Sequence, residues 1–258
     1  MATQLTIGPG INIGPGIQIS SFPPDPYFAN VSLLLTGQGT SGSSSIVDSS
    51  NNAWTITNAS NLVTYNTTSP QVGTSSMRFS GTGNYLRIPQ SGVANVGSGN
   101  FTIECWMKFD SASTYQTILW LNGAPGVNAY AGIRVDISNT NSGVFRNLIG
   151  YTGTSWATTT FYSTSTISSG TWYYYTLVRN GTTITCYVNG VSESTFNVGT
   201  NSIYSAAENW IGAKNTGSAG TPTVNTPVTG YIEQLRITVG VARYTANFTP
   251  PTELMPTL

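Results

Sequence analysis

The side chains able to take part in catalysis in this sequence are carboxylates, because the chain contains no histidine. The absence of histidine excludes Ser–His–Asp and Cys–His mechanisms and most transition-metal sites. Of the nine acidic residues, no two lie two positions apart, so no strand carries a pair of acids on adjacent positions of one face. A catalytic pair would have to come from separate strands, about 5–10 Å apart. We therefore predict that the chain is not an enzyme.

Glu104 is the acid best placed to present a carboxylate on the face of a sheet. It is the only acid in the middle of a long predicted strand, where the two-residue alternation puts it on the same face as Trp106 and Lys108. The alternative, which we favour, is an ion pair with Lys108 or with an arginine of a neighbouring strand.

The two cysteines, Cys105 and Cys186, each fall on the apolar side of a predicted strand. We predict two buried free thiols, with a single disulfide as the alternative. Two cysteines without histidine cannot form an ordinary zinc site. Calcium needs about six to eight oxygen ligands, and Asp48 and Asp136 lie near loops that hold no dense group of acids. We predict no cofactor, and a calcium site built from backbone carbonyls stays open as an alternative.

Three aromatic residues stand in Gly/Asn/Ser-rich loops between positions 122 and 166, namely Tyr130, Tyr151 and Trp156. Sugar rings stack on aromatic side chains, while amides, hydroxyls and backbone groups bind their hydroxyls. We predict that these three residues form a carbohydrate-binding site. Packing over the rim of the domain, or into a subunit contact, is an equal alternative.

The elements that would position these residues are short strands. Residues 171–179, 182–188 and 191–196 alternate apolar and polar positions, and Asn180-Gly181 and Asn189-Gly190 separate them. Asn-Gly pairs tolerate the positive φ angles of a type I′ turn, so three consecutive antiparallel strands are predicted. Earlier strands are predicted at 31–35, 46–50, 53–56, 73–79, 84–89 and 101–109. No sustained helical period is present, and at most one helical turn is predicted, at 240–244.

The strongest motifs lie in the C-terminal third: WYYYTLVRNGTTITCYVNG, then NWIGA, then GYIEQLRITVGVARYTANFTPP. Together with SMRFSGTGNYLRIP and FTIECWMK, they resemble the laminin-G-like branch of the concanavalin A-like jelly rolls, of the type found in bacteriophage virion proteins. The resemblance covers residues 31–251. It implies a two-sheet antiparallel β-sandwich whose opening strand, VSLLL, lies beside the closing strand YIEQLRIT. Many members carry two acids after GYI, where this chain has Glu233 and Gln234, so one potential calcium ligand is neutral here.

Composition narrows the possible partners. Charged residues make up 7% of the chain and the formal net charge is zero, against about 25% charged residues in typical domains. No basic stripe is present to neutralise phosphates, so we predict no nucleic-acid partner. No apolar run reaches the roughly 20 residues that cross a bilayer, and the opening residues lack the features of a signal peptide, so we predict no membrane partner.

The first 29 residues differ from the rest and are predicted to form an extended anchoring arm with a Pro-rich linker. They repeat the unit I-x-I-G-P-G, which cannot build a core and needs an apolar surface elsewhere. The arm residues predicted to contact other subunits are Ile7, Ile11, Ile13, Ile17 and Ile19. A disordered leader is the alternative. The jelly-roll domain is predicted at 30–251, followed by a tail at 252–258.

These features favour a non-enzymatic bacteriophage virion protein, either a capsid decoration protein or a fibre-like appendage. The arm would bind other virion proteins and copies of the same chain, forming an oligomer on the particle. The lectin-like head would bind host surface polysaccharide as a secondary role. The alternative is a soluble or cell-surface lectin that is not part of a virion.

Overall fold

Antiparallel strands make up almost all regular structure in the computed structural model, which describes residues 24–81, 83–124, 126, 130–138, 143–152, 159–218 and 220–257. The arm isoleucines and Trp156 lie outside the described residues. Two short 3-10 turns, Phe28–Asn30 and Ala59–Asn61, are the helical elements of the described part. No helix within these residues is long and apolar enough to cross a membrane.

The strands are β1 (Val31–Leu35), β2 (Thr57–Asn58), β3 (Thr64–Asn66), β4 (Ser76–Ser80), β5 (Leu86–Ile88), β6 (Phe101–Phe109), β7 (Gln116–Gly123), β8 (Ile133–Ser138), β9 (Val144–Ile149), β10 (Thr159–Tyr162), β11 (Trp172–Asn180), β12 (Thr183–Val188), β13 (Val191–Asn197), β14 (Glu208–Ile211), β15 (Lys214–Asn215), β16 (Val224–Asn225) and β17 (Thr229–Val239). The larger sheet has the order β13-β12-β11-β6-β17-β4-β3, and β1 also pairs with β17. The smaller sheet has the order β10-β9-β8-β7-β14-β5-β2. β15 and β16 form a separate hairpin.

The two sheets enclose one apolar core. On β6, Ile103, Cys105 and Met107 are fully buried and belong to a cluster that also contains Ile133 and Val135 of β8. Because side chains alternate along a strand, the residues between them face away from this core. Each sheet therefore has an inner face in the core and an outer face, and the predicted β-sandwich is confirmed.

The hairpin region follows the sequence prediction closely, since β11, β12 and β13 occupy 172–180, 183–188 and 191–197. The turn at Asn189-Gly190 has positive φ at both residues, as a type I′ turn requires. At the first turn, Asn180 pairs with Thr183, so the two turn residues are Gly181 and Thr182. Of these two, only Gly181 has a positive φ, which is typical of type II′. The predicted type I′ turn at Asn180-Gly181 is therefore wrong, because the turn lies one residue later and is of another type.

The predicted strands at 46–50 and 53–56 are wrong, because Asp48 organises this stretch as a loop. Its carboxylate accepts the backbone N–H groups of Leu34, Ser50 and Trp54, each at 2.9 Å. Those N–H groups of residues 50 and 54 are therefore bound to a side chain and not to a neighbouring strand. Aspartate side chains often accept hydrogen bonds from nearby backbone N–H groups, and these bonds compete with the hydrogen bonds of a sheet.

The predicted helical turn at 240–244 is also wrong. Gly240 has a φ of +84° and its N–H bonds to the carbonyl of Asn100, which turns the chain away from β17. The next residues form no helix, and the backbone N–H of Arg243 donates to Thr102 Oγ1 at 2.9 Å. This path carries the C-terminal segment over the outer face of the larger sheet.

The predicted pairing of β1 with the closing strand is confirmed, with Leu34 opposite Arg236. Cys105 and Cys186 are buried free thiols, so the disulfide alternative is wrong. Burial raises the pKa of Cys186 to about 12, which keeps this thiol protonated near neutral pH.

Candidate functional site

The predicted sugar-binding residues Tyr130 and Tyr151 lie at the same end of the smaller sheet. Tyr130 stands just before β8, and Tyr151 stands just after β9. The Gly150 N–H donates to the Gly132 carbonyl at 2.9 Å, which continues the β8–β9 pairing into the two loops. Both tyrosines are half-buried, and Tyr151 packs against the apolar core. Trp156 lies outside the described residues, so two of the three predicted residues share one rim.

Arg179 supports the loops behind this rim, a role that the sequence did not reveal. Its side chain is fully buried and donates to the carbonyls of Gly181, Asn201 and Gly199 at 3.0 Å each, and to Gly97 at 3.2 Å. Burial lowers the pKa of this guanidinium. It is an uncommon arrangement, in which a buried cation is solvated by backbone carbonyls and not by a carboxylate. The loops carrying these carbonyls are thereby tied to the end of β11.

Glu104 lies on the outer face of the larger sheet and is fully buried by the segments that cover this face. Arg236 of β17 donates to its carboxylate at 2.8 Å, and the hydroxyls of Tyr174 and Tyr244 donate at 2.5 and 2.8 Å. The predicted ion pair with an arginine of a neighbouring strand is confirmed, and the partner is not Lys108. Because its donors lie on β17, β11 and the C-terminal segment, this carboxylate holds these segments together.

Asp25 extends this ion-pair network to the N-terminal segment. Arg243 binds its carboxylate through two nitrogens, at 3.0 and 2.7 Å, and Arg236 donates at 3.0 Å. Burial alone would raise the pKa of Asp25, but hydrogen bonds from Arg243 and the Tyr27 N–H outweigh it and lower the pKa. Two carboxylates and two guanidiniums therefore lie together, and they join the N-terminal segment, the closing strand and the C-terminal segment.

Apolar contacts reinforce the same junction. Phe28, Leu34 of β1, Trp106 of β6 and Met255 are buried in one cluster on the outer face of the larger sheet. Phe28 precedes the predicted start of the domain, and Met255 follows its predicted end. Both flanking segments therefore pack on the domain.

The Glu233–Gln234 pair, which the resemblance associates with calcium in other members, forms a bulge in β17. Gln234 has a φ of 55°, and the pairing with β6 shifts between Glu233 and Arg236. The Glu233 carboxylate accepts the N–H groups of Gln71 and Val72 at 2.9 and 3.0 Å. Burial raises the pKa of this carboxyl to about 7, against the lowering effect of these bonds. Within the described residues, no group of three acidic or cysteine side chains converges as metal ligands would.

The outer face of the smaller sheet carries charged side chains that sequence reasoning did not group. Asp136 of β8 pairs across the sheet with Thr117 of β7 and Arg146 of β9, and Arg146 pairs with Tyr162 of β10. Arg134, two residues before Asp136, shares this outer face. The R-x-D spacing of residues 134 and 136 could have indicated this grouping, since strand residues two apart lie on one face.

Aromatic side chains continue the outer face of the smaller sheet. Trp210 of β14 lies beside Trp120 of β7, with ring centroids 6.2 Å apart, and Tyr85 stacks on Trp210 at 4.0 Å. Both tryptophans are fully buried, while Tyr85 is half-buried. Glu208 accepts the Trp210 indole N–H at 3.0 Å and forms an ion pair with Arg87. This part of the face is a packed structural layer.

Comparison of the fold with solved structures identifies its class. The binding domain of Paraclostridial Mosquitocidal Protein 1 superposes with a TM-score of 0.59 at 14% identity, covering 82% of this chain and 49% of that one. The receptor binding domain of botulinum neurotoxin D gives 0.58 at 15% identity, covering 82% and 50%. The serotype D ligand binding domain in complex with N-acetylneuraminic acid gives 0.57 at 14% identity, covering 82% and 49%. This chain spans about half the length of each neighbour, and the likeness at these identities shows a shared fold.

The sequence itself matches a family model of lectin-like jelly rolls. Residues 80–241 match the laminin G model described as the concanavalin A-like lectin/glucanases superfamily. The match covers more than half of the chain, so this protein belongs to that superfamily, and the resemblance seen in the sequence is confirmed. No curated protein matches the chain.

Proposed function

We propose that this protein is a non-enzymatic structural component of a bacteriophage virion, either a capsid decoration protein or a fibre-like appendage. Its N-terminal arm attaches it to other virion proteins and to copies of itself. Its jelly-roll domain is displayed on the particle and binds host surface polysaccharide. The soluble or cell-surface lectin is the competing assignment.

The observation that carries the proposal is the clamp at the base of the arm. The Asp25 carboxylate is 4% exposed and held by Arg236 and Arg243, so the Pro-rich linker is fixed to the domain at this residue. A display protein needs such a fixed attachment, because force on the arm must reach the domain without unfolding it. The isoleucine repeat that precedes Asp25 supplies the apolar side chains for attachment.

The non-enzymatic part of the proposal rests on the state of the acids. Glu104, the best candidate in the sequence, is fully buried under both flanking segments and bound by Arg236 and two tyrosine hydroxyls. A carboxylate in that position does not reach a glycosidic bond. Polysaccharide binding is supported by the lectin-like fold and by Tyr130 and Tyr151 on one rim, where a sugar ring would stack on the aromatic faces.

The proposal is tested by co-sedimentation with phage particles that lack this protein. We expect the full chain to sediment with the particles, and a chain lacking residues 1–23 to stay in the supernatant. The truncation keeps Asp25, so its thermal transition should match that of the full chain. A matched control is the full chain with Ile7, Ile11, Ile13, Ile17 and Ile19 replaced by serine, which should also stay in the supernatant. Equal sedimentation of the truncated chain, or no sedimentation of the full chain, would overturn the proposal.

A further inference from the structure

Most cations of this protein that form ion pairs are balanced one for one. All nine basic and nine acidic side chains lie in the described residues. Four arginines face four carboxylates in balanced ion pairs: Arg78 with Asp110, Arg87 with Glu208, and Arg236 and Arg243 with Asp25 and Glu104. The outer face of the smaller sheet is different, because Arg134, Arg146 and Lys214 surround a single carboxylate, Asp136. Three positive charges against one leave a local excess of two.

We call Tyr115, Arg134, Asp136, Arg146 and Lys214 the cationic cluster. Arg134 Nε lies 2.9 Å from Asp136 Oδ2, and Arg146 reaches the same oxygen at 2.8 Å. The Tyr115 hydroxyl donates to that oxygen at 2.8 Å and accepts from both guanidiniums. The carboxylate side chain is fully buried, whereas the Arg146 side chain is 20% exposed. The part of the cluster open to solvent is therefore its cationic part.

Lys214 is the cation of the cluster that binds no carboxylate directly within the described residues. Its Nζ lies 5.5 Å from the centre of the Tyr115 ring, and across the described residues it makes no hydrogen bond or ion pair. Burial, followed by repulsion from Arg134, lowers its pKa to about 8. A half-buried ammonium beside two guanidiniums is unfavourable. A bound anion would offset the repulsion between these cations and would accept hydrogen bonds from the ammonium.

The surroundings indicate which anion fits. The Lys214 ammonium and the exposed 20% of the Arg146 side chain are cationic groups of the kind that bind the oxygens of a carboxylate. Tyr162 beside them is half-buried, so it offers part of an aromatic ring of the kind that sugar sites use. We propose that Arg146 and Lys214 bind the carboxylate of an acidic saccharide. This inference rests on the proposed function, because it names the chemical class of the polysaccharide that the jelly-roll domain binds.

The test is calorimetric titration of the full chain at pH 7 and low salt with trimers of galacturonate and of mannuronate. The fully methyl-esterified trimers serve as uncharged controls of nearly the same shape. We expect the acid trimers to bind at least tenfold more tightly than their esters. Lys214→Met should weaken binding of the acid trimers at least tenfold.

The matched control is Lys108→Met. Lys108 also lies over aromatic rings, with Nζ 5.1 Å from the Trp172 ring centre and 4.6 Å from that of Tyr231, but on the other sheet. Its replacement should leave the affinity unchanged. Near-ultraviolet circular dichroism identifies any variant that has lost its packing, and Arg146→Gln supplies an independent substitution, expected to weaken binding in the same way.

Three results would overturn the inference: equal binding of acid and ester trimers, no binding of either acid trimer, or unchanged affinity in both Lys214→Met and Arg146→Gln. Particle attachment is measured separately, through the deletion of residues 1–23. Attachment without saccharide binding would therefore reject the acidic-saccharide site and leave the virion assignment standing. Saccharide binding without attachment would do the reverse.

Discussion

Replacing Glu104 with glutamine tests the buried network that joins both flanking segments to the sandwich. Removing one partner of a buried ion pair costs about 3–5 kcal/mol. Arg236 keeps Asp25 at 3.0 Å, and the amide oxygen of glutamine keeps an acceptor for one hydroxyl, so the lower end applies. We expect Glu104→Gln to lower the free energy of unfolding by about 3 kcal/mol. For a chain of 258 residues this corresponds to a fall in Tm of about 6 °C.

The assay is equilibrium urea unfolding, with Asp110→Asn as the control. Asp110 forms an ion pair with Arg78, but its side chain is 42% exposed, and exposed pairs contribute about 0–1 kcal/mol. A loss below 1 kcal/mol for Glu104→Gln would show that the buried carboxylate does not hold the segments together. If the wild type cleaved a polysaccharide and Glu104→Gln abolished this cleavage, Glu104 would have a catalytic role and not a structural one.

Three further predictions follow from other buried groups. Arg179→Met leaves carbonyls of the rim loops without donors and should lower stability by about 2–4 kcal/mol in thermal denaturation, with Arg179→Lys recovering less than half; full recovery by lysine would show that charge alone matters. Neither Cys105 nor Cys186 should react with a thiol reagent in the native protein, and both should react in denaturant, because both are fully buried; modification of the native protein would contradict their placement. The pKa of Lys214 is lowered from 10.5 to about 8, which corresponds to a cost of about 3 kcal/mol for keeping the ammonium charged in the folded protein. Screening by solvent reduces this cost to about 1 kcal/mol. The groups that face the ammonium are Tyr115, Arg134, Asp136, Arg146 and Tyr162. Lys214→Met should therefore stabilise the protein by about 1 kcal/mol at pH 7. This gain should decline as the pH rises from 8, where the folded wild type loses the proton, to 10.5, where the unfolded chain loses it too; a gain independent of pH would contradict the electrostatic cause.

The sandwich was predictable because its strands carry strong local signals. The alternation in β6 and β11, and the Asn189-Gly190 turn, specify burial and pairing within a few residues of chain. The loop around Asp48 was not predictable from alternation, because a side chain at position 48 provides the acceptor for backbone groups at residues 34, 50 and 54. Alternation records which side chains face the core, and not which acceptor binds each N–H.

The ionic features were less accessible to sequence reasoning. Asp25 and Arg243 lie 218 residues apart, and their contact exists because β1 and β17 bring the two ends of the domain together. An ion-pair partner for Glu104 was expected from its place in a strand, but which arginine supplies it depends on strand order. The cationic cluster likewise requires the registers of β7, β8 and β9, which short sequence patterns do not specify.

We propose that this lectin-like protein is a component of a virion. The most direct measurement is immunogold electron microscopy of phage particles purified from the source of the chain, using an antibody raised against residues 30–258. We expect gold on the particles, on the capsid for a decoration protein or on the tail for a fibre-like appendage. Particles without gold, with the protein found only in the soluble or cell-surface fraction, would contradict the proposed virion role and favour a lectin that is not part of a virion.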